Sequence, residues 1–185
     1  MIKHKLALSG IILFFITFLL MSCSKNNEIE IIIINENHKI FLNDIIIYKN
    51  YNVKIIDKES YWIIKDLNKE ILLDFLAIVN LKLDIITDNI ANANTTRTSY
   101  GGPFIRQYLK ITQEDGMEIL KDTQQNTRFV WDPTHPDSIL TGEKKGLVEY
   151  PNVDVYIETL EQIEFARLKD VIIDCLKTKN IFVVY

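Results

Sequence analysis

Apolar and polar positions along the chain change their spacing several times, and each change predicts a different element. From Leu6 to Leu20 the chain is almost continuously apolar, interrupted only by Ser9, Gly10 and Thr17. That run is short for a membrane-spanning helix and suits the core of a signal peptide. Four stretches rich in β-branched and aromatic residues follow, at 28–34, 39–48, 51–57 and 61–65, separated by polar breaks at 35–37 and 49–50. They predict three or four strands joined by hairpin turns. The run Ile31–Ile34 does not alternate, so its buried face stays open.

From Asn68 the period becomes helical. Leu72, Leu76, Val79, Leu83, Ile86 and Ile90 recur at spacings of four and three, an a/d seam. Phe75, Ile78 and Ile85 widen the stripe, so this helix needs at least one partner. Between Thr95 and Asp154 the chain is punctuated by turn signals that bracket short strand-like runs at 104–111 and 127–131, with little between Lys110 and Arg128. A second helix follows, with Asn152 or Asp154 as its cap. Tyr156, Leu160 and Ile163 begin one seam; after a register shift, Phe165, Leu168, Ile172, Cys175 and Phe182 continue it.

The expected fold class is α+β: two long terminal helices forming a coiled-coil-like module with a small β-rich insertion, preceded by a small β-rich N-terminal extension. The boundaries are a leader over 1–22, a tether and β-rich extension over 23–67, a first helix and its exit over 68–98, the insertion over 99–152 and a closing helix over 153–185.

Composition narrows the function. The 185 residues are 48% apolar and 25% charged, as in a folded chain, and the net charge is −4. Phosphate binding needs clustered Lys and Arg, and none is present, so nucleic acid is not an expected partner. Lys3 and Lys5 precede the apolar leader, and Leu20-Met21-Ser22-Cys23 closes it. That closing segment resembles a lipobox, which implies acylation of Cys23 and cleavage before it; the alternative is an uncleaved anchor. The second cysteine, Cys175, then has no intrachain partner, and its apolar helical setting suits a small buried hydrophobe.

Candidate chemistry is sparse. Gly101-Gly102-Pro103 lacks the Lys and the strand–loop–helix context of a phosphate loop. Asp132, His135 and Asp137 are interleaved with prolines and have no second His nearby, so turn chemistry outweighs a metal site. Ser99 and Ser138 have no His–acid arrangement. Glu158, Glu161 and Glu164 read most simply as a solvated or inter-subunit helix face. Neither a catalytic set nor a cofactor is expected.

Four sequence blocks carry motifs that belong together, in order along the chain. Residues 83–98 contain Asn89-Ile90-Ala91-Asn92 and then Asn94-Thr95-Thr96-Arg97-Thr98, similar to the N-I-A-N-x-x-T helix exit of flagellar axial proteins. Arg97 and Thr98 lead to Gly101-Gly102-Pro103, resembling R-T-x-x-G-G-P. Asp132-Pro133-Thr134-His135-Pro136-Asp137 resembles D-P-x-H-P-D, and Tyr150-Pro151-Asn152-Val153 resembles Y-P-N-V. Residues 158–182 resemble a closing helix, and the four blocks together resemble the flagellar basal-body rod proteins of the FlgC (proximal rod) type, in that family's order over about residues 70–185.

The resemblance implies a structural subunit of the flagellar rod that packs through its terminal helices and transmits torque for motility. Its expected partners are other rod proteins and basal-body components, with self-association, and its expected location is the periplasmic basal body. The alternative is a lipid-anchored periplasmic module that docks on the basal body through the same fold. Two features depart from the family: the leader, and the residues 24–68 ahead of the first helix. Rod subunits leave through the flagellar export channel without a cleaved signal.

Overall fold

A computed structural model describes residues 29–33, 41–42, 44–46, 49, 51–57, 61–112, 114, 116–123, 127–178 and 182–184. The leader and Cys23 lie outside the described residues. Helices and strands are both present, so the fold is α+β.

Three strands precede the first long helix: β1 (Ile29–Ile33), β2 (Lys54–Asp57) and β3 (Trp62–Leu67). β3 is central, antiparallel to β2 through Ile55–Ile64 and to β1 through Ile32–Ile63. A short last strand, β8 (Phe182–Val184), lies parallel to β1, giving the order β2-β3-β1-β8. The described residues between 41 and 49 are helical (α1), which corrects the strand expected over 39–48. Leu42, Ile45 and Ile46 are spaced three and four apart and all are buried, so one helical face carries them into the core. Ile-rich composition masked that spacing.

Helix α2 (Lys69–Ala91) starts at Asn68, whose side chain accepts the Ile71 N–H at 2.9 Å. Helix α3 (Val155–Thr178) starts at Asp154, which accepts the N–H groups of Tyr156 and Ile157 at 3.0 and 3.2 Å. The helices run antiparallel: the Lys82 ammonium lies 3.0 Å from Glu161, Gln162 donates to Thr87, and Asn89 reaches Glu158. α3 ends at Thr178, so Phe182 belongs to β8 and does not extend the helical seam.

One core joins these parts. Leu72, Phe75 and Val79 of α2 meet Phe165, Leu168, Ile172 and Cys175 of α3, with α1 and β3 laid over the same cluster. The insertion is two hairpins. β4 (Gln107–Thr112) pairs with β5 (Gly116–Lys121), and β6 (Arg128–Trp131) with β7 (Leu147–Tyr150). β5 fills much of the span after Lys110; Met117 and Ile119 on it are exposed, which blurs its strand pattern.

Candidate functional site

The exit of α2 is built from its own side chains. The Asn92 amide and backbone N–H both donate to the Asp88 carbonyl, and the Thr95 hydroxyl donates to Asn92 at 3.1 Å. Asn92 has φ −101°, so it does not itself adopt the left-handed conformation that asparagine permits. Asn89, one turn earlier, is buried. Its amide donates to the Gln107 carbonyl at 2.8 Å and its oxygen accepts the Gln107 N–H at 2.8 Å. That exchange copies one rung of a β-ladder and fixes β4 to α2. Ile90 is partly buried in the core and Ala91 is exposed.

Beyond the exit, the signature segment forms a corner. The Thr98 N–H donates to the Gly102 carbonyl and the Thr98 hydroxyl to the Gly101 carbonyl. Gly101 and Gly102 have φ of 84° and 71°, a region costly for other residues, and Pro103 follows them. The Phe104 N–H returns to the Thr95 carbonyl, closing the loop. Asn94 and Asn152 are exposed and Pro151 is buried. Both asparagines line a groove of about 420 Å³ together with Arg128, Asp154 and Tyr156.

Blocks distant in sequence meet here. The Thr96 hydroxyl donates to Asp137 at 2.6 Å, and the Arg97 guanidinium pairs with the same carboxylate. The Thr96 hydrogen bond, with Arg97 and His135 nearby, holds the Asp137 carboxyl below its usual range. Asp132 is held low as well, chiefly by the Thr134 hydroxyl. His135 Nδ1 accepts the Asp137 N–H at 3.0 Å, and its ring lies 6.2 Å from that of Tyr150. Pro133 and Pro136 are exposed on the turn. Among the described residues no cluster of His, Cys, Asp and Glu is arranged to hold a metal.

Glu158 corrects the expectation of a solvated or inter-subunit acidic face, because it is buried within the subunit itself. It is 1% exposed, pairs with Arg106 Nε at 2.6 Å and accepts from the Asn89 amide at 3.1 Å. The trio joins α2, α3 and the residue just ahead of β4 at one point. Spacing along α3 hid it, because both partners come from elsewhere in the chain.

The helix-packing residues divide into two sets. Leu72, Val79, Ile86, Leu168, Ile172 and Cys175 are buried; Leu76 and Leu83 are partly buried against the core. Burial, with Asp174 nearby, pushes the Cys175 thiol up to about 12. Leu160 and Ile163 are 43% and 46% exposed, and with Tyr156 at 71% they form an outward stripe. The inward positions Glu158, Phe165, Leu168, Ile172 and Cys175 run continuously along α3, and Tyr156, Leu160 and Ile163 lie on a different, open face. No helix among the described residues is long and apolar enough to cross a membrane.

Residues 80–97, the end of α2 and its exit, match the family model described as flagella basal body rod protein. The chain is also 33% identical over 114 residues to the flagellar basal-body rod protein FlgC of Borreliella burgdorferi, an alignment covering 50% of this chain and 75% of that relative. With the helix exit, the glycine corner and the proline turn tied together by Thr96, Arg97 and Asp137, the chain belongs to the FlgC family of flagellar basal-body rod proteins.

Proposed function

We propose that this chain is a structural subunit of the flagellar rod, joined to its neighbours through the helix pair α2–α3 and the corner that terminates α2. The family is structural, and the role of the chain is to hold shape under torque rather than to catalyse. The observation that carries the mode of packing is the open stripe of Tyr156, Leu160 and Ile163 on α3. A family member whose closing helix keeps a second apolar face has a surface for coiled-coil-like contact with a neighbouring rod helix. Burying each such side chain contributes on the order of 1.5–3 kcal/mol.

Rigidity comes from the corner. Arg97 and Thr96 fasten the proline turn, and Glu158 fastens α3 to the residue just ahead of β4, so load entering one helix reaches the insertion through directional polar bonds. Partners of this kind are other rod proteins and further copies of this chain, within the basal body.

The test uses Leu160→Asp and Ile163→Asp. Both positions are open in the subunit, so the variants should keep the native helical content and melting temperature within a few degrees. Each should lose its place in purified basal bodies, because assembly would bury the new charge. A folded variant that co-purifies with basal bodies in native amount would refute packing through this stripe. Ile86→Asp would not discriminate, since Ile86 is buried within the subunit itself.

A further inference from the structure

We infer that the open stripe of α3 packs antiparallel against the outward face of α2 in a second copy of this chain, with Arg167 of one copy facing Glu70 of the next. This rests on the rod reading above and names the surface that the stripe meets.

The inner seams of both long helices are closed within the subunit. Leu72 and Val79 of α2 and Leu168 and Ile172 of α3 have no exposed surface. A neighbour can therefore meet only the outward stripes, which lie across each helix from its buried side. On α3 that stripe starts apolar, with Tyr156, Leu160 and Ile163, and continues at the same spacing into exposed Arg167. On α2 the outward positions Glu70, Leu73 and Ala77 repeat at spacings of three and four, and all are exposed, Leu73 at 47%. Toward its C-terminus the α3 stripe thus passes from apolar to basic. Toward its N-terminus the α2 stripe passes from apolar to acidic. The two complement each other when the helices run in opposite directions.

Helical rise then sets the register. Placing Ile163 beside Leu73 of the next copy brings Leu160 level with Ala77 and Arg167 level with Glu70, to within about one residue. The small Ala77 side chain lets Leu160 approach closely, and the ion pair closes the far end of the contact. Polarity favours the same arrangement. Within the subunit α2 and α3 are antiparallel, since Lys82 meets Glu161 and Asn89 meets Glu158. If α3 is also antiparallel to the neighbour's α2, both copies point the same way. Each copy then offers α3 on one side and α2 on the other, so the contact is heterologous and repeats from copy to copy. Pairing of two α3 stripes would instead be isologous, would point the copies in opposite directions and would stop at a dimer. A shaft built of uniformly directed subunits needs the first arrangement.

The experiment co-expresses two full-length, differently tagged chains, one Leu73→Cys and one Ile163→Cys, in cells that build flagella. Purified basal bodies are treated with a short bis-maleimide, and the linked peptides are read by mass spectrometry. Neither chain holds both substitutions, so a link between positions 73 and 163 must join two copies. That link should dominate over links between like positions. Links between two copies of position 163 in its place overturn the contact in favour of a two-fold one. Links to other rod proteins alone overturn the second copy as the partner and leave the stripe as a rod contact. Chain present in basal bodies with no link at either position overturns the contact and leaves the rod reading; absence of native chain from basal bodies removes both. Charge reversal checks the register. Arg167→Glu should lower the amount of chain in basal bodies at least about tenfold, because it faces Glu70, and adding Glu70→Arg should restore it. Both positions are exposed, so the variants should keep native helical circular dichroism. A double variant that assembles no better than Arg167→Glu alone overturns this pairing.

Discussion

A carboxylate buried at the start of α3 must be answered by a cation and by hydrogen-bond donors, and Glu158 has Arg106 and Asn89. Removing one partner costs more than the pair itself contributes, because a buried charge is left behind. Arg106→Met should therefore destabilise the chain by about 3 kcal/mol, measured by urea unfolding. Glu158→Met added to it should recover much of that loss. If the double variant is as unstable as the sum of the singles, the three residues do not act as one network. This constellation was invisible along the chain. Glu158 reads as a surface acid by its spacing with Glu161 and Glu164, and only the fold brings Arg106 across to it.

Among the elements, the two long helices were legible because their apolar period extends over many turns and a capping side chain, Asn68 or Asp154, marks each start. α1 was not, since an isoleucine-rich stretch satisfies strand propensity while its spacing satisfies a helix. β5 was missed because its outward residues, Met117 and Ile119, are as apolar as inward ones. The exit of α2 and the proline turn were legible as turns, but their mutual bond was not. That bond predicts a pH effect. Asp137 titrates below its ordinary value of 3.8 in the folded chain, so its pairing stabilises the fold above that pH and the contribution is lost as pH falls through the depressed value. Thr96→Val removes the largest cause. The Asp137 carboxyl should then titrate nearer 3.8 by carbon-detected NMR. The variant should be less stable than the parent near neutral pH, and the gap should close in strong acid. An unchanged titration would mean that the charges of Arg97 and His135, and not the Thr96 hydroxyl, hold the Asp137 carboxyl low.

For the whole molecule, one core serves the helix pair and the N-terminal unit, and Cys175 reports on it. The thiol is fully buried and its ionisation is pushed up to about 12, so thiolate is scarce at ordinary pH. In the Cys23→Ser chain, iodoacetamide at pH 8 should label Cys175 at least about a hundredfold more slowly than in urea-unfolded chain. The rate should rise in step with global unfolding as denaturant is added. Fast labelling of the native chain would show that this part of the core opens on its own. The pairing of β8 with β1 has a kinetic meaning as well. These strands come from opposite ends of the described chain, so their contact closes a very long loop, and contacts of that kind form late. During synthesis the N-terminal sheet waits for its fourth strand until Phe182–Val184 have been made, so the free edge of β1 stays open while both long helices are still being formed.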